Sequence, residues 1–106
     1  MTFSIVARDP QHGWLGMATA SRALAAGAAG RPIKLGVGAI ASQAFANPYL
    51  AIDGLQLIED GLPPERVIER VIGSDAGREL RQLGIVDHEG RVAAYTGDRC
   101  IAWAGP

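Results

Sequence analysis

A chain of 106 residues, 48% of them apolar, can bury one small core, and no repeat or linker divides it, so residues 1–106 read as one domain. Ten Lys and Arg against eleven Asp and Glu, in no block of like charge, exclude the basic footprint of a nucleic-acid binder, and 6% aromatics exclude a stacking platform for single strands. The single Cys100 leaves no intrachain disulfide or multi-cysteine metal site; with no basic-to-apolar leader and no run of ~18 apolar residues, a soluble, cytoplasmic protein without a membrane partner is expected.

Thr2 to Arg8 alternates, with Phe3, Ile5 and Ala7 on one face and Thr2, Ser4, Val6 and Arg8 on the other. That period of two predicts a strand. Asp9-Pro10-Gln11-His12-Gly13 is turn chemistry, and Trp14 to Thr19 is the return strand, giving a β-hairpin over residues 2–19. Residues 20–35 read as a loop holding at most one helical turn near Leu24, interrupted by Gly27 and Gly30 and ended at Arg31-Pro32.

Ile33 to Ser42 is predicted as the third strand. Its Val37–Ser42 portion is small or β-branched and free of charge, which suits a strand covered on both faces or approached by another backbone. Asn47-Pro48 then stops the strand and starts a helix, since Asn caps well and Pro fits the first helical position. That helix runs to Asp60, with Gly61 and Leu62 as its glycine stop. Pro63-Pro64 opens a second helix whose Val67, Ile68, Val71 and Ile72 form one apolar stripe, ended by Gly73-Ser74. Asp75 is expected to cap a third, short helical segment through about Arg81. Gln82–Asp87 and Arg91–Thr96 flank the turn Asp87-His88-Glu89-Gly90. Strands grouped before and after the helices predict an α+β fold.

Chemistry is sparse. Thr2 could act as an N-terminal nucleophile, its own α-amine serving as base, once Met1 is removed. While Met1 is retained the amine is blocked, and Thr2 is then a β-branched strand opener. Lys34, at the entrance to the third strand, is the candidate for lowering a hydroxyl pKa, against the plainer reading of a solvated strand-end lysine. Ser21, Arg22, Ser42, Gln43 and Asn47 form the candidate ligand-binding set; loop solvation, backbone hydrogen bonds and helix capping are their structural alternatives. His12 and His88 lie in separate turns without metal-ligand spacing, and Gly36-x-Gly38 lacks the third glycine of a dinucleotide fingerprint, so no metal and no cofactor is expected. Cys100 reads as a packed small residue.

Several segments together resemble one family. They are Met1–Pro10, Gly36–Pro48, Gly77–Asp87, Gly90–Gly97 and Cys100–Gly105. The chain is similar, along essentially its whole length, to a bacterial domain-of-unknown-function family whose fold resembles that of the N-terminal-nucleophile (Ntn) hydrolases. The resemblance implies a layered αββα sandwich, with amide hydrolysis as the chemistry of the wider superfamily. Relatives run about twice this length and tend to have Ser where this chain has Pro63. A half-fold completed by self-association is therefore expected, as a homodimer or higher oligomer. The favoured reading is a noncatalytic, self-associating module for a small ligand or an interaction. The alternative is an amidohydrolase using Thr2.

Overall fold

The computed structural model describes residues 1–28 and 32–106. Among these residues six strands and two α-helices follow in order: β1 (Thr2–Arg8), β2 (Leu15–Ser21), β3 (Ile33–Lys34), β4 (Gly38–Ala44), α1 (Pro48–Glu59), α2 (Pro64–Gly73), β5 (Arg81–Asp87) and β6 (Val92–Thr96). β1 and β2 form a two-stranded antiparallel sheet, and β3-β4-β5-β6 form a four-stranded one. The mixed α and β class expected from the order of elements is what the chain adopts. Among the described residues no helix is long and apolar enough to cross a membrane.

The four-stranded sheet is the middle layer. On one face it carries α1 and α2, whose Leu50, Leu55, Ile58, Val67 and Val71 pack on Ile40, Leu83 and Ile85 to make the core. α1 comes close because it has Gly54 at the contact: a Cβ there would lie 2.7 Å from Ile40 Cδ1. The helix limits follow the capping logic. Asn47 Oδ1 accepts the Tyr49 N–H at 3.1 Å, and Gly61 leaves the helix at φ 99° while the Leu62 N–H donates to the Leu57 carbonyl at 3.0 Å. Pro63 caps α2 without a side-chain hydrogen bond.

The β1–β2 hairpin covers the other face. Thr2, Ser4, Val6 and Arg8 are its half-buried residues on β1, and a Cβ on Gly84 would come within 3.9 Å of Val6 Cγ2. The bare, small-residue character of β4 therefore serves a sheet from the same chain.

Three boundaries differ from expectation. Ile33–Ser42 is not one strand: Gly36 takes φ 71°, the Val37 N–H donates to the Lys34 carbonyl at 3.0 Å, and β3 folds back so that Lys34 pairs with Gly38. Glycine enters that left-handed region without a Cβ penalty, which turns a run with no other punctuation. The third helical segment shrinks to one 3₁₀ turn, Arg78–Leu80, because Asp75 spends its carboxylate on the Gly77 N–H and on Arg81. β2 continues through Ser21, and the loop after it holds a 3₁₀ turn at Ala26–Ala28. The expected interruption at Gly30 and Arg31 lies outside the described residues.

Candidate functional site

The space between the two sheets is lined by hydroxyls and amides where an apolar contact would be usual. Alternation places Thr2 and Ser4 on the inner face of β1, and the hairpin register sets them opposite Ser21 and Thr19. Thr2 Oγ1 and Ser21 Oγ lie 2.8 Å apart, and Ser4 Oγ and Thr19 Oγ1 lie 3.0 Å apart. Ser4 donates its hydroxyl proton to Gln43 Oε1 at 2.7 Å, so Thr19 is the donor to Ser4.

Gln43 is the junction. Its Nε2 donates to the Thr2 carbonyl at 3.2 Å and to Gln82 Oε1 at 2.6 Å. Gln82, its cross-strand partner, in turn donates to Thr96 Oγ1 at 3.1 Å and to the Gly105 carbonyl at 3.0 Å. One hydrogen-bonded row thus runs from β2 across β1, β4, β5 and β6 to the C-terminal segment. No member carries charge, so the row can orient a neutral polar ligand but cannot itself move a proton at neutral pH.

A cavity of about 100 Å³ lies directly on the row, against Ser4, Gln43, Gln82 and Thr96, and two roomier ones flank it. The smaller of these two, about 240 Å³, is bounded by Thr2, Ser21, Leu24, Ser42, Gln43 and Pro48. The larger, about 490 Å³, lies between the start of β1, the loop after β4 and the C-terminal segment. Thr2 and Gln43 border both. The wall of the larger cavity is held by Arg81, which donates from Nη1 to the Phe45 carbonyl at 2.5 Å and from Nε to Asp75 Oδ2 at 2.7 Å, with its guanidinium 5.9 Å from the centre of the Phe45 ring. That hydrogen bond to Arg81 holds the Asp75 carboxyl below the usual carboxylate range. At the same corner Ala44 takes φ 69°, an uncommon left-handed conformation for alanine that ends β4.

The structure brings Thr2, Ser21, Ser42 and Gln43 to the smaller cavity. Ser42 also donates to the Asn47 carbonyl at 3.1 Å, tying β4 to the start of α1, where Asn47 acts as the cap. Arg22 is exposed and borders neither cavity. Lys34 stands at the far end of β4 from Gln43, with its ammonium on the Glu59 carboxylate. His12 bonds Asp9 at 2.6 Å in the hairpin turn, and His88 lies 3.6 Å from Glu89. Among the described residues no three His, Cys, Asp or Glu side chains gather to hold a metal ion. Ser4, Thr19, Gln82 and Thr96 were missed. The signal was present in the hairpin: hydroxyls at positions 2, 4, 19 and 21 share one face once the strands zip together.

Comparison with known proteins adds a family. Residues 2–106 match the sequence profile described as a family of unknown function (DUF1028). The chain is similar to the crystal structure of protein SPO2555 from Silicibacter pomeroyi, at 37% identity and a TM-score of 0.91 over 96% of this chain. It spans about half of that relative, 48% of its length. Among curated proteins, none matches.

Proposed function

The chain belongs to the family of unknown function DUF1028, and from that premise we propose a noncatalytic module that binds a small polar ligand between its sheets and associates with copies of itself. The ligand site is the smaller cavity, where Thr2, Ser21, Ser42 and Gln43 offer donors and acceptors without charge. The assembly surface is the outer face of the hairpin. That face carries the proposal: Phe3, Ile5 and Ala7 of β1 and Gly16, Ala18 and Ala20 of β2 are all exposed, and none is polar. A sheet with one wet face normally turns its apolar residues inward. Here four hydroxyls share the inner face with Val6, Leu15 and Met17, while the outer face is apolar throughout, as befits a sheet with a further layer upon it. Helices, four-stranded sheet and hairpin make three layers of an Ntn-like αββα sandwich, and a second copy would supply cover for the third.

A specific observation favours the other reading, amide hydrolysis by Thr2. Its hydroxyl lies beside two cavities, with Ser21 at 2.8 Å. Loss of Met1 would give that hydroxyl an adjacent amine to take its proton. Lys34 has no part in this version, since Glu59 holds it.

One experiment on tag-free protein addresses both. Sedimentation at micromolar concentration should show multiples of the 11.1 kDa chain, and a well-folded monomer throughout would sink the assembly. Intact mass on the same sample should show Met1 retained. Complete Met1 loss together with turnover of simple amides would favour the Thr2 enzyme instead.

A further inference from the structure

The larger cavity has a chemistry different from the hydroxyl row. Its volume of about 490 Å³ is that of a small-molecule site. Leu80 gives it a half-buried apolar wall, and Phe45, Ile101 and Trp103, all largely exposed, stand around its open mouth. The amides of Gln43 and Gln82 border it, but their hydrogens are already given, those of Gln43 to the Thr2 carbonyl and Gln82 Oε1, those of Gln82 to Thr96 and Gly105. Cys100 directs its thiol to the Arg81 carbonyl at 3.4 Å.

Arg99 is the one charged side chain among its described lining residues. No ion pair to Arg99 occurs among the described residues. Neither Glu79 nor Asp98 borders the cavity, so no carboxylate lines it. Arg81, the other guanidinium nearby, is neutralised by Asp75 at 2.7 Å. An apolar pocket with one unpaired guanidinium at its rim suits a ligand with one carboxylate and an apolar body, because the planar fork of Arg matches a carboxylate in two parallel hydrogen bonds.

We infer that this cavity binds a small aryl or acyl carboxylate, its carboxylate on Arg99 and its apolar body against Phe45 and Leu80. This goes beyond the neutral ligand proposed for the smaller cavity and does not depend on it.

The test titrates 3-phenylpropionate and the uncharged 3-phenylpropanamide into the whole protein at neutral pH. It follows the indole N–H resonances of Trp103, at the cavity, and Trp14, in the hairpin turn. The acid should shift Trp103 saturably and leave Trp14 in place, with the amide binding about tenfold or more weakly, as expected for loss of a charge-assisted pair. Arg99→Gln, at an exposed position, should weaken the acid by a similar factor and leave the amide unchanged. Arg22→Gln, at an exposed position bordering neither cavity, should change neither. Equal affinity for acid and amide, acid binding indifferent to Arg99→Gln, acid binding weakened as much by Arg22→Gln as by Arg99→Gln, or no saturable shift at millimolar probe would each overturn the assignment.

Discussion

Among the described residues Asp87 is the buried charged side chain, with no exposed area, and it closes the β5–β6 turn. Its Oδ1 accepts the N–H groups of Glu89 and Arg91 at 3.0 and 2.9 Å, and Arg91 Nε donates to Oδ2 at 2.6 Å. Burial alone would raise this carboxyl, but the Arg91 guanidinium and the two N–H groups outweigh it and hold the group below its ordinary value of 3.8. A depressed carboxylate contributes stability that is complete above its unfolded value and lost as pH falls through its folded one. Stability should therefore be flat above about pH 5 and decline below about pH 4. Asp87→Asn should cost about 2 kcal/mol at pH 7, since the amide cannot accept all three donors, and the deficit should narrow by pH 3. Urea unfolding of both proteins at the two pH values measures this; a deficit independent of pH would assign the cost to packing alone. At this scale the sequence was informative where a residue's role is local. Asn47 as cap and Gly61 as stop follow from adjacent residues, and Asp87 in a turn was visible. Its burial was not, because that depends on the chain entering β4, where the Val37 carbonyl accepts the His88 N–H at 2.8 Å.

At the scale of elements, α1 approaches β4 and α2 through Gly54. A Cβ there would meet Ile40 Cδ1 at 2.7 Å and Val67 Cγ1 at 3.3 Å. Gly→Ala in a helix ordinarily gains about 0.5–1 kcal/mol from backbone entropy and propensity. The overpacking at this contact costs about 1–3 kcal/mol, so it decides the sign. Gly54→Ala should lower the unfolding midpoint in urea, whereas Gly73→Ala, with open space around its Cβ position, should not lower it. A higher midpoint for Gly54→Ala would mean that Ile40 swings aside freely. The helices and most strands were legible because each carries its own period and punctuation. The β3–β4 reversal was not, because Gly36 sits in a small apolar run that reads equally as strand. The hydroxyl row was half legible. Alternation assigns Thr2 and Ser4 to one face, yet only the packing of the hairpin on β4 turns that face inward and puts Gln43 beneath it.

At the scale of the molecule, the hairpin turns an all-apolar face outward, and this has an energetic consequence. Phe3 and Ile5 remain 69% and 63% exposed, so they contribute little to the fold of one chain and can contribute to association. The register sets the larger residues of β1 beside the smallest of β2, Phe3 by Ala20, Ile5 by Ala18 and Ala7 by Gly16. A ridge therefore runs beside a trough, and a twofold axis would place each ridge in the other copy's trough. Two strands of this length present a footprint of only about 230 Å², well below the roughly 800 Å² per partner of a stable interface. In the proposed assembly the hairpin face would be the centre of a larger or weaker contact, and association should be reversible and concentration-dependent. Mass action makes the melting temperature of an associating protein rise with its concentration. For the wild type, Tm should climb between low and high micromolar concentration. Phe3→Ser with Ile5→Ser should abolish that dependence and sediment as a monomer, while keeping the Tm that the wild type shows at high dilution. If the double variant instead melts lower than the diluted wild type, the two side chains support the fold within one chain and the assembly surface lies elsewhere.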